Sequence, residues 1–153
     1  MDQIIREMGL LRTYDAKFYI ASIIMMIEYL HGKNIIYRDL KPDNIMVDHK
    51  GYCKLLDMGT CKYLDKRPYK TKTIIGTPHY MAPEVLTHKG YSFQVDLWAI
   101  GKLVFAIIWF LLGIMLYEFM CGMVPFGEEV NDPYKIYEEI ITKDIYYPNY
   151  LKD

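Results

Sequence analysis

The sequence predicts an α+β fold that is mainly helical and carries small β-hairpins on one face. Two observations support this: a helical repeat of apolar residues near the N-terminus, and two β-prone segments joined by a short turn. The chain has 153 residues, 52% apolar and 24% charged, enough for one domain with a hydrophobic core. The formal net charge of −1 favours neither nucleic acid nor an anionic membrane as a partner.

The first predicted helix spans Ala16–His31. Asp15 stands at its N-cap position and Gly32 at its C-terminal stop. Apolar residues recur at helical spacing, at Ile20, Ile23, Ile24, Ile27 and Leu30. The remaining faces carry further apolar side chains, at Phe18, Met25 and Tyr29. We therefore expect this helix to be buried on most sides.

Short β-prone segments follow the helix, at Ile35–Tyr37, Ile45–Val47 and Tyr52–Leu56. The last two flank Asp48–Gly51, a turn ending in glycine that predicts a hairpin. The polar segment 38–44 lies between apolar strands, where a scaffold can present chemical groups. The segment Asp57–Thr77 is polar and is interrupted by Pro68 and Gly76, so we expect a long loop, which in a compact domain is often functional. Later helices are predicted at Ser92–Ile100 and Pro133–Thr142.

The cysteines indicate a reducing compartment. Cys53, Cys61 and Cys121 are odd in number and show no CxxC spacing, so we interpret them as reduced thiols of a cytoplasmic protein. Cys61 lies close to the candidate site, and packing is its expected role. The charged N-terminal residues give no sign of a signal peptide.

Three oxygen-bearing side chains form the first candidate site. Asp39 and Asn44 lie five residues apart on one loop, and Asp57 follows across the hairpin, so all three can converge. Phosphoryl transfer needs a carboxylate that accepts a hydroxyl proton and oxygen ligands for Mg²⁺. Lys41 can supply a cation. Taken singly, Asp57 could be a turn residue and Asn44 a strand cap.

Four segments in order resemble the motifs of protein kinases. The segment 37–44, YRDLKPDN, is similar to the catalytic loop, and 57–59, DMG, is similar to the metal-binding DFG triplet with Met for Phe. The segment 76–84, GTPHYMAPE, resembles the end of the activation loop, and 96–101, DLWAIG, resembles the start of the buried central helix. Together they identify the chain as a protein-kinase-like C-terminal lobe that would act on ATP with Mg²⁺.

The resemblance implies a role for each matching residue of the catalytic site. Asp39 would be the catalytic base and Lys41 would contact the γ-phosphate. Asn44 and Asp57 would hold Mg²⁺. Thr77 would join the catalytic loop to the substrate site.

The resemblance also implies regulatory and structural residues. Thr73, four residues before Thr77, matches the usual phosphorylation position. Arg38 and Lys62 would pair with its phosphate and so order the loop. Asp96 would brace the catalytic loop from behind, and Glu84 would pair with an arginine beyond the chain.

The details of these motifs narrow the substrate class. Lys41 and the loop around it resemble serine/threonine kinases, and Tyr37 with 76–84 is most similar to the cyclic-nucleotide-dependent branch, especially cyclic-GMP-dependent kinases of the AGC group. In that branch Asp43 and Glu118 match positions that contact basic residues before the target Ser/Thr. The expected partners are therefore proteins with basic residues near Ser/Thr.

The sequence also departs from a complete kinase domain. Residues 1–153 show no glycine-rich loop and no VAIK-like lysine. We therefore expect a partial kinase domain without its N-terminal lobe, inactive alone, with apolar surface uncovered and Glu84 unpaired. The alternative function is a non-catalytic lobe that binds proteins.

An apparent insertion, Lys102–Gly113, follows the fourth motif. Twelve added helical residues would lengthen the helix by about 18 Å and turn the next face by about 120°. We hypothesise an unremoved intron of 36 nucleotides, an idea that peptides mapped to these residues would refute. The rival interpretation is a membrane segment, but Leu103–Tyr117 has only 15 uncharged residues, so we expect no membrane span.

Overall fold

The computed structural model describes residues 13–100, 114–146 and 148. The helices are α1 (Thr13–Gly32), α2 (Pro83–Leu86), α3 (Gln94–Ile100), α4 (Ile114–Cys121) and α5 (Pro133–Thr142). The strands are β1 (Ile35–Ile36), β2 (Ile45–Val47), β3 (Cys53–Leu55) and β4 (Lys62–Tyr63). Helices with a few small antiparallel strands agree with the predicted α+β class.

Helix α1 packs against the domain through a single apolar stripe. The stripe forms the largest core cluster with the loop and helices beneath it, and its fully buried members on α1 are Ala16, Ile20, Ile23, Ile27 and Leu30. The predicted burial on most sides is wrong: Phe18, Met25 and Tyr29 are 49%, 70% and 68% exposed. Residues at these spacings lie away from the stripe, and no described element covers them.

The ends of α1 also differ from the prediction. The helix begins at Thr13, so Asp15 lies in its first turn instead of at the N-cap. At the other end the left-handed residue is Asn34, with φ 58°, and not Gly32. The Asn34 N–H donates to the His31 carbonyl oxygen at 2.9 Å, which closes the last turn.

Two antiparallel strand pairs flank the polar loop. The predicted hairpin is confirmed: β2 pairs with β3, and Ile45 lies opposite Leu55. Asp48 accepts from the backbone N–H groups of Lys50 and Tyr52 at 2.9 and 3.0 Å, which stabilises the turn. Strand β1 pairs with the distant β4. The two pairs bring residues 37–44 and 57–60 together.

Helices α3 and α4 continue the core, and α5 closes it on one side. The fully buried residues of the third cluster are Ile114, Phe126, Ile136 and Ile140. Helix α5 has the predicted bounds and begins with Asp132, whose side chain accepts from the Tyr134 N–H at 3.0 Å. Gly127, with φ +66°, lies so close to α5 that an added Cβ would be 2.6 Å from Ile136 Cγ1.

The predicted insertion, Lys102–Gly113, lies outside the described residues, as does most of the apolar stretch Leu103–Tyr117. None of the helices described combines the length and apolar character that a membrane crossing requires.

Candidate active site

A buried carboxylate binds the backbone at the start of the polar loop 38–44. Asp96, on α3, is 1% exposed. Its Oδ2 accepts from the Tyr37 N–H at 2.9 Å and its Oδ1 from the Arg38 N–H at 2.8 Å. His31 Nε2 lies 2.8 Å from Oδ2. A charged acceptor that satisfies two buried backbone donors orients the start of the loop.

The backbone bends sharply just before the candidate base. Arg38 has φ 75°, in the left-handed region that non-glycine residues seldom adopt. Its carbonyl oxygen lies against Gly76, where an added Cβ would be only 2.6 Å away. Gly76 itself has φ +122°. Glycine is therefore required where the end of the long loop approaches Arg38.

Asp39, Lys41, Asn44 and Thr77 form one polar network. The Thr77 hydroxyl donates to Asp39 Oδ1 at 2.7 Å, and Lys41 Nζ donates to the same hydroxyl at 2.8 Å. Lys41 Nζ also lies 3.4 Å from Asp39 Oδ2. Asn44 Nδ2 donates to Asp39 Oδ2 at 3.0 Å. The network therefore holds the Asp39 carboxylate beside the Lys41 ammonium group. Thr77, which contacts both, lies 38 and 36 residues further along the chain.

Two side chains with oxygen atoms that could bind a hard cation, Asn44 and Asp57, lie beside this network. Asn44 uses its Nδ2 to donate to Asp39, and within the described residues no hydrogen bond engages its Oδ1. The Leu56 N–H donates to the Asn44 carbonyl oxygen at 2.8 Å, which brings Asp57 next to Asn44. Amide and carboxylate oxygens are the ligands Mg²⁺ prefers, and it uses few protein ligands when phosphates supply the others.

Asp57 is presented by a strained turn. Its φ of 48° lies in the left-handed region, and its carboxylate accepts from the Gly59 N–H at 3.0 Å. The described part of the chain contains no cluster of three His, Cys, Asp or Glu residues that could bind a metal alone. The Asn44 and Asp57 oxygens therefore suit a Mg²⁺ ion that is also bound by the phosphates of a ligand. They do not suit a structural metal centre.

Tyr37 and Cys61 pack beneath the site. The Tyr37 hydroxyl donates to the Leu56 carbonyl oxygen, directly before Asp57. Burial raises the pKa of Tyr37, so its hydroxyl stays protonated and able to donate. Burial also raises the pKa of Cys61 to about 11. A thiol with that pKa is protonated at neutral pH and unreactive, and Cys61 packs against the largest core cluster, in line with its expected role.

The residues expected to bind a phosphate on Thr73 are not joined to it. Thr73 is exposed, and Lys62 Nζ donates to the Thr71 hydroxyl at 3.1 Å. Arg38 Nε donates to the Thr60 carbonyl oxygen at 2.6 Å. Within the described residues, Arg38 Nη1 is buried without a hydrogen-bond partner. Arg38 therefore keeps a guanidinium donor, and Lys62 keeps ammonium donors beyond the one bonded to Thr71, for an additional acceptor.

The two acidic residues expected to contact substrate differ in their surroundings. Asp43 lies within the segment 37–44 and is exposed. Glu118, on α4, is partly buried and accepts from the Tyr80 hydroxyl at 2.5 Å. Glu84, on α2, is partly buried, and no ion pair within the described residues includes it.

Three residues that contact the site or its surroundings were not predicted from the sequence: His31, Tyr80 and Tyr91. His31 contacts Asp96 from 65 residues away in sequence, and Tyr80 contacts Glu118 from 38 residues away. No local spacing relates such pairs. A buried carboxylate requires hydrogen-bond donors. This requirement of Asp96 is the one signal that could have predicted a partner such as His31.

Comparison with known proteins places these motifs in a family. The model of the protein kinase domain matches residues 1–150. A cGMP-dependent protein kinase of Eimeria tenella is 48% identical over 149 residues, which cover 97% of this chain and 13% of that protein. The equivalent kinase of Plasmodium berghei is 47% identical over 149 residues, 97% of this chain and 16% of that protein.

A more distant relative is the catalytic subunit of the cAMP-dependent protein kinase of Arthrobotrys oligospora. It is 43% identical over 136 residues, 89% of this chain and 23% of that protein. The predicted resemblance to the cyclic-nucleotide-dependent branch is confirmed by these relatives. The chain spans between 13% and 16% of the length of its cGMP-dependent relatives.

Proposed function

The chain belongs to the protein kinase family, and from this premise we propose that its protein transfers the γ-phosphate of ATP to serine or threonine hydroxyl groups of other proteins. One observation carries the proposal: the Asp39 carboxylate is held between the Thr77 hydroxyl and Lys41 Nζ, 2.7 and 3.4 Å away, on a loop fixed by Asp96. A fixed carboxylate beside a cation suits proton acceptance next to a transferred phosphoryl group.

The proposed reaction assigns one task to each group. The substrate hydroxyl oxygen bonds to the γ-phosphorus, the bond from phosphorus to the bridging oxygen breaks, and ADP leaves. Asp39 accepts the hydroxyl proton, and Lys41 stabilises the charge on the transferred group. Asn44 and Asp57 would hold Mg²⁺, which neutralises phosphate charge when bound. The Thr77 hydroxyl, bonded to both side chains, holds Asp39 and Lys41 at a fixed distance from each other.

The proposed substrates carry basic residues before the target Ser/Thr. Asp43 is exposed, and Glu118, on α4, is partly buried and accepts from the Tyr80 hydroxyl. Carboxylates in such positions recognise arginine by charge-assisted hydrogen bonds. The relatives from Eimeria tenella and Plasmodium berghei are cGMP-dependent protein kinases, and we propose the same regulation for this protein.

Phosphorylation of Thr73 is the proposed activating modification. Thr73 is exposed, and the cations expected to pair with its phosphate are Lys62, which is exposed, and Arg38, whose Nη1 has no hydrogen-bond partner among the residues that the structure describes. A phosphate adds up to about two negative charges and three strong acceptors, so it can order a loop between two cations.

A second function, protein binding without catalysis, is supported by an apolar surface. An open depression of about 360 Å³ lies between α1 and the β2–β3 hairpin. It is lined by Met25, Met26, Tyr29, Leu30, Leu55 and Met58. Contiguous exposed apolar surface of this kind is typical of sites that another protein segment covers.

The test measures phosphoryl transfer from ATP with Mg²⁺ by the protein expressed from its complete coding sequence. The substrate is a serine peptide with two upstream arginines, and the comparison peptide has alanines in their place. We expect about a 10- to 100-fold loss of kcat/KM with the alanine peptide, since hydrogen bonds to charged groups are lost. The 153 residues expressed alone are expected to show negligible transfer.

The assignment of Glu118 is tested in the same assay. Glu118→Gln should remove most of the preference for arginine, whereas Glu129→Gln, at an exposed position, should retain it. Absence of any transfer by the complete protein would favour the protein-binding function. Equal rates with both peptides would refute the proposed substrate class alone.

A further inference from the structure

Tyr91 makes three hydrogen bonds to the loop that carries Thr73. Its backbone pairs with Thr71 in both directions: Thr71 N–H donates to the Tyr91 carbonyl oxygen, and Tyr91 N–H to the Thr71 carbonyl oxygen, each at 2.9 Å. Its side-chain hydroxyl donates to the Thr73 carbonyl oxygen. Tyr91 is 1% exposed, and its ring lies in the second core cluster with Ile36 and Leu64. One buried residue thus anchors the loop to the core.

The surroundings of this contact are closely packed. Thr71 is 4% exposed, and its hydroxyl accepts from Lys62 Nζ at 3.1 Å. Gly90, with φ +86°, lies beside it, and an added Cβ there would be in ordinary van der Waals contact with the Thr71 carbonyl oxygen, at 3.6 Å. Backbone groups shielded in this way rely on their protein partners because water cannot replace them.

The side chains that follow face the solvent. Lys72, Thr73 and Ile74 are exposed, although the backbone at Thr71 and Thr73 is bonded to Tyr91. Thr77, which donates to Asp39 at 2.7 Å, is only four residues further along the chain. The segment 73–77 thus joins a backbone carbonyl bonded to Tyr91 with a hydroxyl bonded to Asp39.

We propose that Tyr91 is a positioning residue, whose hydroxyl holds the segment 71–77 in place for catalysis before any phosphate is attached to Thr73. This inference rests on the proposed function, since positioning matters for phosphoryl transfer. The Tyr91 hydroxyl and a phosphate on Thr73 stabilise the same arrangement of the same backbone. Two groups with one shared effect are not additive, so each matters most in the absence of the other.

The first experiment needs no activity. Tyr91→Phe keeps the ring in the core and removes only the hydroxyl, and Tyr63→Phe, at a 61% exposed position, is the matched control. In the protein expressed from its complete coding sequence, exchange of the Thr71 and Tyr91 amide hydrogens, each bonded to the other residue's carbonyl oxygen at 2.9 Å, should accelerate about fivefold in Tyr91→Phe and not in Tyr63→Phe. Unchanged exchange there, or equal acceleration in α5, would overturn the proposal.

The second experiment compares kinetics in two phosphorylation states. With Thr73→Ala in the background, Tyr91→Phe should lower kcat/KM for the peptide about fivefold. With Thr73 phosphorylated, the same change should lower it less than about twofold, because the phosphate replaces the lost bond. A general loss of stability would act equally in both states, so equal losses would refute a positioning role.

The two experiments separate this inference from the proposed function. If the complete protein transfers no phosphate, the proposed function fails, and hydrogen exchange still decides whether the Tyr91 hydroxyl holds the segment. If transfer occurs and Tyr91→Phe changes neither exchange nor kinetics, only the role of Tyr91 is refuted.

Discussion

Replacement of Asp39 by asparagine is expected to lower kcat about 10²- to 10⁴-fold, the usual effect of removing a general base. The asparagine oxygen can still accept from the Thr77 hydroxyl, now 2.7 Å from Asp39 Oδ1. The amide cannot take up the proton of the substrate hydroxyl, so the loss should fall on kcat and leave the KM for ATP nearly unchanged.

Steady-state kinetics of the protein expressed from its complete coding sequence would measure this effect. Asp65→Asn, which neutralises an exposed carboxylate on the long loop, is the matched control and should change kcat less than about twofold. A kcat for Asp39→Asn within tenfold of the unsubstituted protein would contradict the assignment of Asp39 as the base.

Replacement of Asp96 should have the largest effect on stability. Its carboxylate accepts from the Tyr37 and Arg38 N–H groups at 2.9 and 2.8 Å and lies against His31. In Asp96→Asn one of the two backbone donors would face an NH₂ group instead of an oxygen. A buried donor left without an acceptor costs about 1–3 kcal/mol. Asp96→Ala removes both acceptors and should cost about 3–5 kcal/mol.

The free energy of unfolding from urea titration tests this order of effects. Asp144→Asn, at an exposed position, should change it by less than about 0.5 kcal/mol. Because the loop that carries Asp39 begins at the two bonded N–H groups, both Asp96 variants should also lower kcat. An Asp96→Ala protein as stable and as active as the unsubstituted one would show that the loop is positioned by other contacts.

Local patterns in the sequence predicted the elements that depend on neighbouring residues. The β2–β3 hairpin is confirmed because Asp48 and Gly51 stabilise the turn between them. Helix α5 is confirmed with its bounds because an amphipathic repeat begins at a capping aspartate. The family was predicted for the same reason, since its motifs are short runs whose order and spacing are visible along the chain.

Burial and partners were harder to predict. The repeat in α1 located the stripe that packs on the core, but Phe18, Met25 and Tyr29 are apolar and still exposed. An apolar side chain shows that burial would be favourable, and it does not show that another element is present to cover it.

The sequence by itself indicated the β2–β3 hairpin and helices α1, α3 and α5, identified the family, and supplied the candidate residues for this site. Only the tertiary structure decided which of those residues meet: Asp96 with the start of the catalytic loop, Thr77 with Asp39, and Tyr91 with Thr73. The physical reason is that turns and helices are stabilised within a few residues, whereas these contacts join groups between 18 and 59 residues apart. Such contacts form when the core packs, and no local repeat encodes them.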